Sequence, residues 1–320
     1  MIKTSTNGVE QGFIEATMLS SFIQRNLHDA ILPETFYRNV TDFQNGESID
    51  IPSIGEVNIQ EVREDEPFVY SPIQTGKISM RITDQIGNAH YITDDMREDG
   101  SNIDALLAAY GEEEVYAMQK YHETRAFEVL NAAQTAGDTN EVNGFAHRLV
   151  ASGTNQVIEL DDISAMKLAF DKANVPAAGR ILVVDPIVAS TLDRRFQITS
   201  NTTDANMFFM DIMSEGFMRG RDFVAKLYSF NIITSNLLPA IESETVDGTA
   251  VTGGVANIAF SIFNDNTKPL MYAERRAPKA EFGRNKDLRR DEYTVSSRFG
   301  FGVQRRDTLG VIITSATATA

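Results

Sequence analysis

Apolar and polar residues alternate with a period of two across residues 48–93, at Ile49 and Ile51, then Val57 and Ile59, and on a return leg at Ile78, Met80 and Ile82. A two-residue period puts the apolar set on one face of extended chain, so the stretch predicts a long hairpin. Its far end, residues 62–74, carries Arg63, Glu64, Asp65 and Glu66, then Pro67 and Pro72, which cannot sit in a paired central strand. Phe68, Val69 and Tyr70 lie between the prolines, with Ile73 just beyond, an apolar group that is costly at a loop tip. At about 3.3 Å per residue, the leg over residues 76–87 spans about 36 Å, enough to hold the tip away from its own core. A tip placed there needs a partner surface; the competing reading is a hairpin folded flat on its own domain.

The period then changes to that of a helix. Ser101 is a capping hydroxyl and Asp104 sits in the favourable field of the helix N-terminus. Ile103, Leu106, Leu107, Tyr110, Met118, Tyr121, Val129, Leu130 and Ala133 are its apolar positions, and Gly137 with Asp138 ends it. Unbroken from Ser101 to Ala136, it has about 35 residues and a length of roughly 52 Å, with Gly111 as the candidate kink. Before the hairpin, Ile14, Met18, Phe22, Leu27 and Ile31 fall near helical spacing until Pro33, which suits either a first core helix or an arm that packs on a neighbour.

Residues 151–269 predict an α/β unit. Asp161 or Asp162 caps a helix bearing Ile163, Met166 and Phe170; residues 180–184, RILVV, form a buried strand; Asp185 then Pro186 start another helix. A helix or turn near residues 205–213, strands at 223–227 and 230–234, and an exposed loop over residues 239–254 complete it. Strands return at 258–263, 270–274, 293–299 and 309–314. A chain that opens with a hairpin and long helix and closes with strands predicts one domain made from both ends, with the α/β unit inserted.

Composition narrows the function. The 320 residues are 42% apolar and 23% charged, as in ordinary folded proteins. There is no cysteine, which removes disulfides, thiolate metal sites and cysteine nucleophiles. No stretch has the roughly 20 apolar residues of a membrane span, and no signal peptide is evident. A net charge of -16 argues against broad binding to nucleic acid, which rests on many Lys and Arg contacts to phosphate. Bases do gather in the tail, at Arg275, Arg276, Lys279, Arg284, Lys286, Arg289, Arg290, Arg298, Arg305 and Arg306. They make either a solvated face or a patch that meets acids on a neighbouring copy.

Catalytic chemistry finds little support. His28, His90, His122 and His147 form no H-x-x-x-H pair, and Asp94 with Asp95 and the run Glu112, Glu113 and Glu114 lack calcium-loop spacing and read as solvated faces. No Walker, dinucleotide-binding or nucleophile-elbow motif occurs. The reading is of no catalytic, cofactor or metal residues.

The order of features resembles the Hong Kong 97-type fold of tailed-phage major capsid proteins over nearly the whole chain. R-I-L-V-V-D-P at residues 180–186, F-N-I-I-T-S-N-L-L-P at 230–239 and R-F-G-F-G-V-Q-R-R-D-T-L-G-V-I at 298–312 look like the corresponding stretches of phage coat proteins. The resemblance implies an α+β fold. Its parts would be an N-terminal arm (1–47), an extended loop hairpin (48–93), a first peripheral part with the spine helix (94–150), an axial domain (151–269) and a second peripheral part (270–320). It implies a homo-oligomer of hexamers and pentamers closing into an icosahedral head around double-stranded DNA, assembled in the bacterial host cytoplasm. A portal, a separate scaffolding protein and a decoration or cement protein are the implied partners, with DNA touched weakly and no membrane contact. On this reading the hairpin tip docks on the adjacent subunit, burying Phe68, Tyr70 and Ile73, while Glu64, Asp65 and Glu66 face Arg284, Lys286, Arg289 or Arg290. An encapsulin-like nanocompartment, which shares the fold, and a soluble α/β enzyme are the alternatives.

Overall fold

The computed structural model describes residues 34–41, 46, 48–55, 59–61, 67, 70, 72–73, 75–100, 103–200 and 223–317. The arm residues Ile14, Met18, Phe22, Leu27 and Ile31, and the segment at 205–213, lie outside them.

Two sheets and a two-stranded ribbon carry the fold. Strands β1 (Arg38–Asn39), β4 (Asp84–Thr93), β11 (Leu270–Asn285) and β12 (Arg290–Val303) form a four-stranded sheet in the order β1-β11-β12-β4, built from both ends of the chain. Strands β5 (Arg148–Val150), β6 (Arg180–Val184), β7 (Phe223–Leu227), β8 (Phe230–Thr234), β10 (Thr249–Ser261) and β13 (Leu309–Ser315) run β5-β13-β10-β6-β8-β7, with β9 (Ala240–Val246) also paired to β10. The ribbon is β2 (Ser48–Ile54) against β3 (Thr75–Arg81), in register from Ser48 opposite Arg81 to Ile54 opposite Thr75.

The long helix α2 (Ile103–Ala133) joins the two sheets. Phe127, Leu130 and Ala133 bury with Ile181, Val183, Ile258, Phe260 and Leu309 of the seven-stranded sheet. On another side of the helix, the His122 ring lies 3.8 Å from that of Phe299 on β12, and Arg125 Nε is 3.1 Å from Asp84 Oδ2 on β4. The other face of the seven-stranded sheet is covered by α3 (Leu160–Lys172) and α4 (Pro186–Ser200), through Ile163, Met166, Phe170, Val188 and Leu192.

A buried ion pair fixes the helix end. Arg148 gives Nε and Nη2 to the Glu244 carboxylate at 2.6 and 2.5 Å and Nη1 to Asn131 at 2.9 Å, while the Gly137 N–H donates to Glu244 Oε1 at 2.9 Å. Burial pushes the Glu244 carboxyl up, but Arg148 and the Gly137 amide outweigh it and hold it below its ordinary value. Removing one partner of such a pair leaves an uncompensated buried charge, at a cost of about 3–5 kcal/mol.

Several elements differ from the sequence expectation. The return leg of the hairpin does not run on to Gly87: it ends at Arg81, and after Ile82 and Thr83 the chain enters a different sheet as β4. The apolar phase continues through the break, because Ile82 is buried at the ribbon base and Ile92 in the sheet, so periodicity alone hides the change of partner. The helix α3 is capped not by Asp161 or Asp162 but by Glu159, with Asp162 as its reciprocal partner, accepting from the Glu159 N–H at 2.8 Å. The expected exposed loop over 239–254 is mostly the hairpin β9–β10, which turns at Asp247 and Gly248, both with positive φ (48° and 74°). Its Thr and Glu residues, and the irregular spacing, mask a buried set, Ile241, Val246 and Val251. The two tail strands expected at 270–274 and 293–299 extend to 16 and 14 residues, and the last strand, β13, lies between β5 and β10 rather than in the sheet of β11 and β12.

Beyond Tyr272, the outer edge of β11 pairs with no described strand. Pro278 falls within a register irregularity of the β11–β12 pairing, between Arg276 and Lys279, and a bulge, a proline and nearby charges make an open strand irregular.

The helix α2 runs unbroken through Gly111, where an added methyl meets nothing within 4 Å. Gly111→Ala is therefore expected to raise stability by about 0.5–1 kcal/mol, seen as a higher urea midpoint at unchanged slope. A second expectation concerns acid. His147 is fully buried with Nε2 unpartnered and its ring stacked on Phe170, and burial lowers its pKa, as it does that of His122. Both groups are neutral in folded and unfolded chain above pH 6.5; below it the unfolded chain takes the protons first. Stability should then fall as pH drops from 6.5 toward 5, by at most about 1.4 kcal/mol per pH unit per histidine. The double variant His122→Phe with His147→Phe should flatten that slope in denaturation curves; an unchanged slope would refute the assignment.

Candidate functional site

The ribbon β2–β3 is seated at its base and bare at its far end. Ile49, Met80 and Ile82 bury against Val40, Met271 and Ala273. Along the ribbon, Asp50 accepts from Ser79 Oγ at 2.5 Å and from Lys77 Nζ at 3.2 Å, and the Ser79 hydroxyl with Lys77 holds its carboxyl below the ordinary value. Beyond these pairs the side chains turn apolar and exposed: Ile54 at 81%, Ile59 at 95%, Tyr70 at 92% and Ile73 at 85%. Tyr70 and Ile73 thus stand in solvent in a single copy. Glu64, Asp65, Glu66 and Phe68 lie outside the described residues. Ile54 and Ile59 belong to the same exposed set, and the two-residue alternation that contains Ile59 was the signal for it.

The basic residues separate into two groups. Arg284 forks onto Asp94, with both bonds 2.6 Å, and reaches Asp291 at 3.0 Å; Arg97 takes the other oxygen of Asp291 at 2.9 Å. The Arg284 guanidinium holds the Asp94 carboxyl below its ordinary value. These bonds tie α1 (Asp94–Asp99) to the end of the β11–β12 hairpin. Arg290 bonds Glu292 at 2.7 Å and lies 4.5 Å over the Tyr91 ring. Both arginines are committed within their own subunit. Lys286 and Arg289, in the turn between β11 and β12, are exposed and have no ion-pair partner among the described residues. Leu288, 57% exposed, and Phe282, 64% exposed, lie beside them. The subunit therefore presents an apolar tip on the ribbon and a basic, partly apolar tip on the hairpin.

The remaining titratable groups do structural work. His90 stacks on Tyr293 at 5.2 Å and meets Tyr110 edge-on at 4.7 Å. Contrary to its reading as part of a solvated face, Glu114 is buried. Glu114 Oε1, His90 Nδ1 and Ser297 Oγ are buried without partners, so none bonds another and no nucleophile–base relay exists among them. Among the described residues no group of His, Asp and Glu side chains is placed to hold a metal ion, and no helix is long and apolar enough to cross a membrane.

The structure is similar to the capsid of cyanophage P-SCSP1u, with a TM-score of 0.69 at 16% identity, covering 99% of this chain and 97% of that one. It is similar to the mature capsid of bacteriophage PhiM1, at 0.68 and 11% identity over 95% and 93% of the two chains. The capsid of Ralstonia phage GP4 matches at 0.66 and 10% identity over 100% of both. No curated protein sequence matches the chain. At these identities the likeness shows the fold, which is the mixed helix and strand architecture that the order of features implied. Residues 78–314 match the phage capsid protein family, which is most of the chain. The chain accordingly belongs to the phage capsid protein family: it is a structural, non-enzymatic subunit whose place is the shell of the virion.

Proposed function

We propose that the chain is a major capsid protein whose copies form hexamers and pentamers of an icosahedral head around double-stranded DNA. In this reading residues 48–81 supply the reaching hairpin, α2 is the spine, residues 151–269 the axial domain, and the four-stranded sheet, with β4, the core of the peripheral domain. Assembly takes place in the bacterial host cytoplasm with a separate scaffolding protein, a portal and a decoration or cement protein, and DNA is touched weakly.

The observation that carries the proposal is the exposed set Ile54, Ile59, Tyr70 and Ile73 at the far end of a ribbon whose base alone is packed. Each large apolar side chain loses about 1.5–3 kcal/mol of burial by staying in water. A neighbouring copy recovers it. The same stretch of sequence carries the acids Glu64, Asp65 and Glu66, and among the described residues Lys286 and Arg289 have no ion-pair partner. Each exposed pair gives about 0–1 kcal/mol, so burial supplies most of the affinity and charge sets the orientation.

Wild-type protein is expected to run on size exclusion as ring-like capsomers or megadalton shells. Tyr70→Ser combined with Ile73→Ser should keep the circular dichroism spectrum and remain a small species at the same concentration. Changing Glu64, Asp65 and Glu66 to Lys should lower shell yield severalfold, and Lys286→Glu with Arg289→Glu in the same chain should restore part of it. Shells of normal yield from the Tyr70 and Ile73 variant would sink the docking role of the tip.

A further inference from the structure

The direction of the reaching ribbon is set by very little. Its two strands hydrogen-bond only each other and join neither sheet, so no ladder fixes the angle at which it leaves the subunit. Among the described residues Arg275 donates to the Gly46 carbonyl and Arg298 reaches the Ile82 carbonyl at 3.4 Å. The rest of the seat is packing, onto Val40 and onto a floor of four residues of β11 and β12. Ala273 stands opposite Gly300 and Met271 opposite Gly302 across β11 and β12, which puts all four on one face. On the opposite face, alternate residues Phe299 and Phe301 join the rings of His122 and Tyr272.

The two glycines leave room that the ribbon base fills. A methyl added at Gly300 would stand 2.5 Å from the Arg81 carbonyl oxygen and 2.8 Å from the Ile82 Cα, both backbone atoms. A methyl added at Gly302 would stand 2.5 Å from Met80 Cγ and 2.8 Å from its sulfur, a side chain with freedom to move. Neither glycine has a positive φ, so the requirement is for space and not for backbone conformation.

We infer that Gly300 and Gly302, with Met271 and Ala273, form a seat that sets the angle of the ribbon and thereby the geometry in which copies meet. The inference rests on the ribbon being the docking element. The ribbon magnifies any tilt at its base: its 7-residue strands, about 23 Å of extended chain, turned by 10° move the far end by about 4 Å, more than a side-chain contact tolerates. Gly300 and Gly302 are positioning residues and touch no partner themselves.

The test is full-length protein carrying Gly300→Ala, Gly302→Ala, or Gly302→Ala with Met80→Ala, examined for folding by circular dichroism and for particles by electron microscopy. Gly300→Ala is expected to fold and to give at least tenfold fewer closed shells, or shells of altered diameter. Gly302→Ala should show a milder defect, and the double variant, which removes the side chain that the methyl strikes, should return toward wild type. If Gly300→Ala does not fold, the Gly302 variant and its rescue decide the matter alone. Wild-type diameter and yield from the glycine variants, alongside failure of the Tyr70 and Ile73 variant, would overturn the seat and leave the docking role standing. Normal shells from the Tyr70 and Ile73 variant would overturn the docking role itself.

Discussion

Everything else in the subunit is arranged around a helix that must satisfy two sheets at once. Near its C-terminal end α2 sends Phe127 and Leu130 into the core of the seven-stranded sheet, while His122 and Arg125 meet the four-stranded one. A helix packed on one side shows a single apolar stripe; this one spreads its contacts around its circumference, so its sequence has no clean stripe to show. Over its first 18 residues, Glu114 is the only buried side chain among those described. The helix is thus anchored by its second half, where Arg148, Glu244, Asn131 and the Gly137 amide close its end. That end is held to the seven-stranded sheet by the Asn131 side chain and the Gly137 N–H, which bond the buried Arg148–Glu244 pair, while His122 and Arg125 hold the four-stranded sheet to the same half of the helix.

Much of this was legible in the chain. The helix was read to within three residues at each end, the buried strand at 180–184 and the strands at 223–227 and 230–234 as they stand, and the cap at Asp185, which accepts from the Ile187 N–H at 3.0 Å. These elements are local: their patterns depend on near neighbours. What was not legible was the identity of a partner. Ile82 keeps the alternation of the ribbon although the chain changes sheet beside it, and the last strand is equally apolar wherever it is inserted. The distal part of β11, residues 275–285, was missed because its residues are mostly charged or small, so no apolar period marks it.

Of the candidate contact residues, Tyr70 and Ile73 carried a readable signal, since aromatic and aliphatic groups beside prolines at a loop tip are costly unless covered. The bases were harder to sort. Arg284 and Arg290 look like Lys286 and Arg289 in sequence, and only the fold puts Asp94 against the first and Glu292 against the second. The R-F-G-F-G-V string, a likeness to coat proteins when met as letters, acquires a physical meaning once folded: its phenylalanines face the spine and its glycines face the ribbon.

The blunted edge of β11 bears on how such a protein survives its own abundance. A coat subunit is made in many copies and must wait, crowded among its siblings, until a shell begins. A strand edge with a regular row of free amides would let two waiting copies zip together through their backbones, irreversibly and in any register. With a bulge and Pro278 making β11 irregular and charges beside them, that edge is a poor template, and copies are left to recognise one another through side chains. Contacts of that kind are weak enough singly to come apart, so a misplaced copy can leave before the shell closes over the mistake.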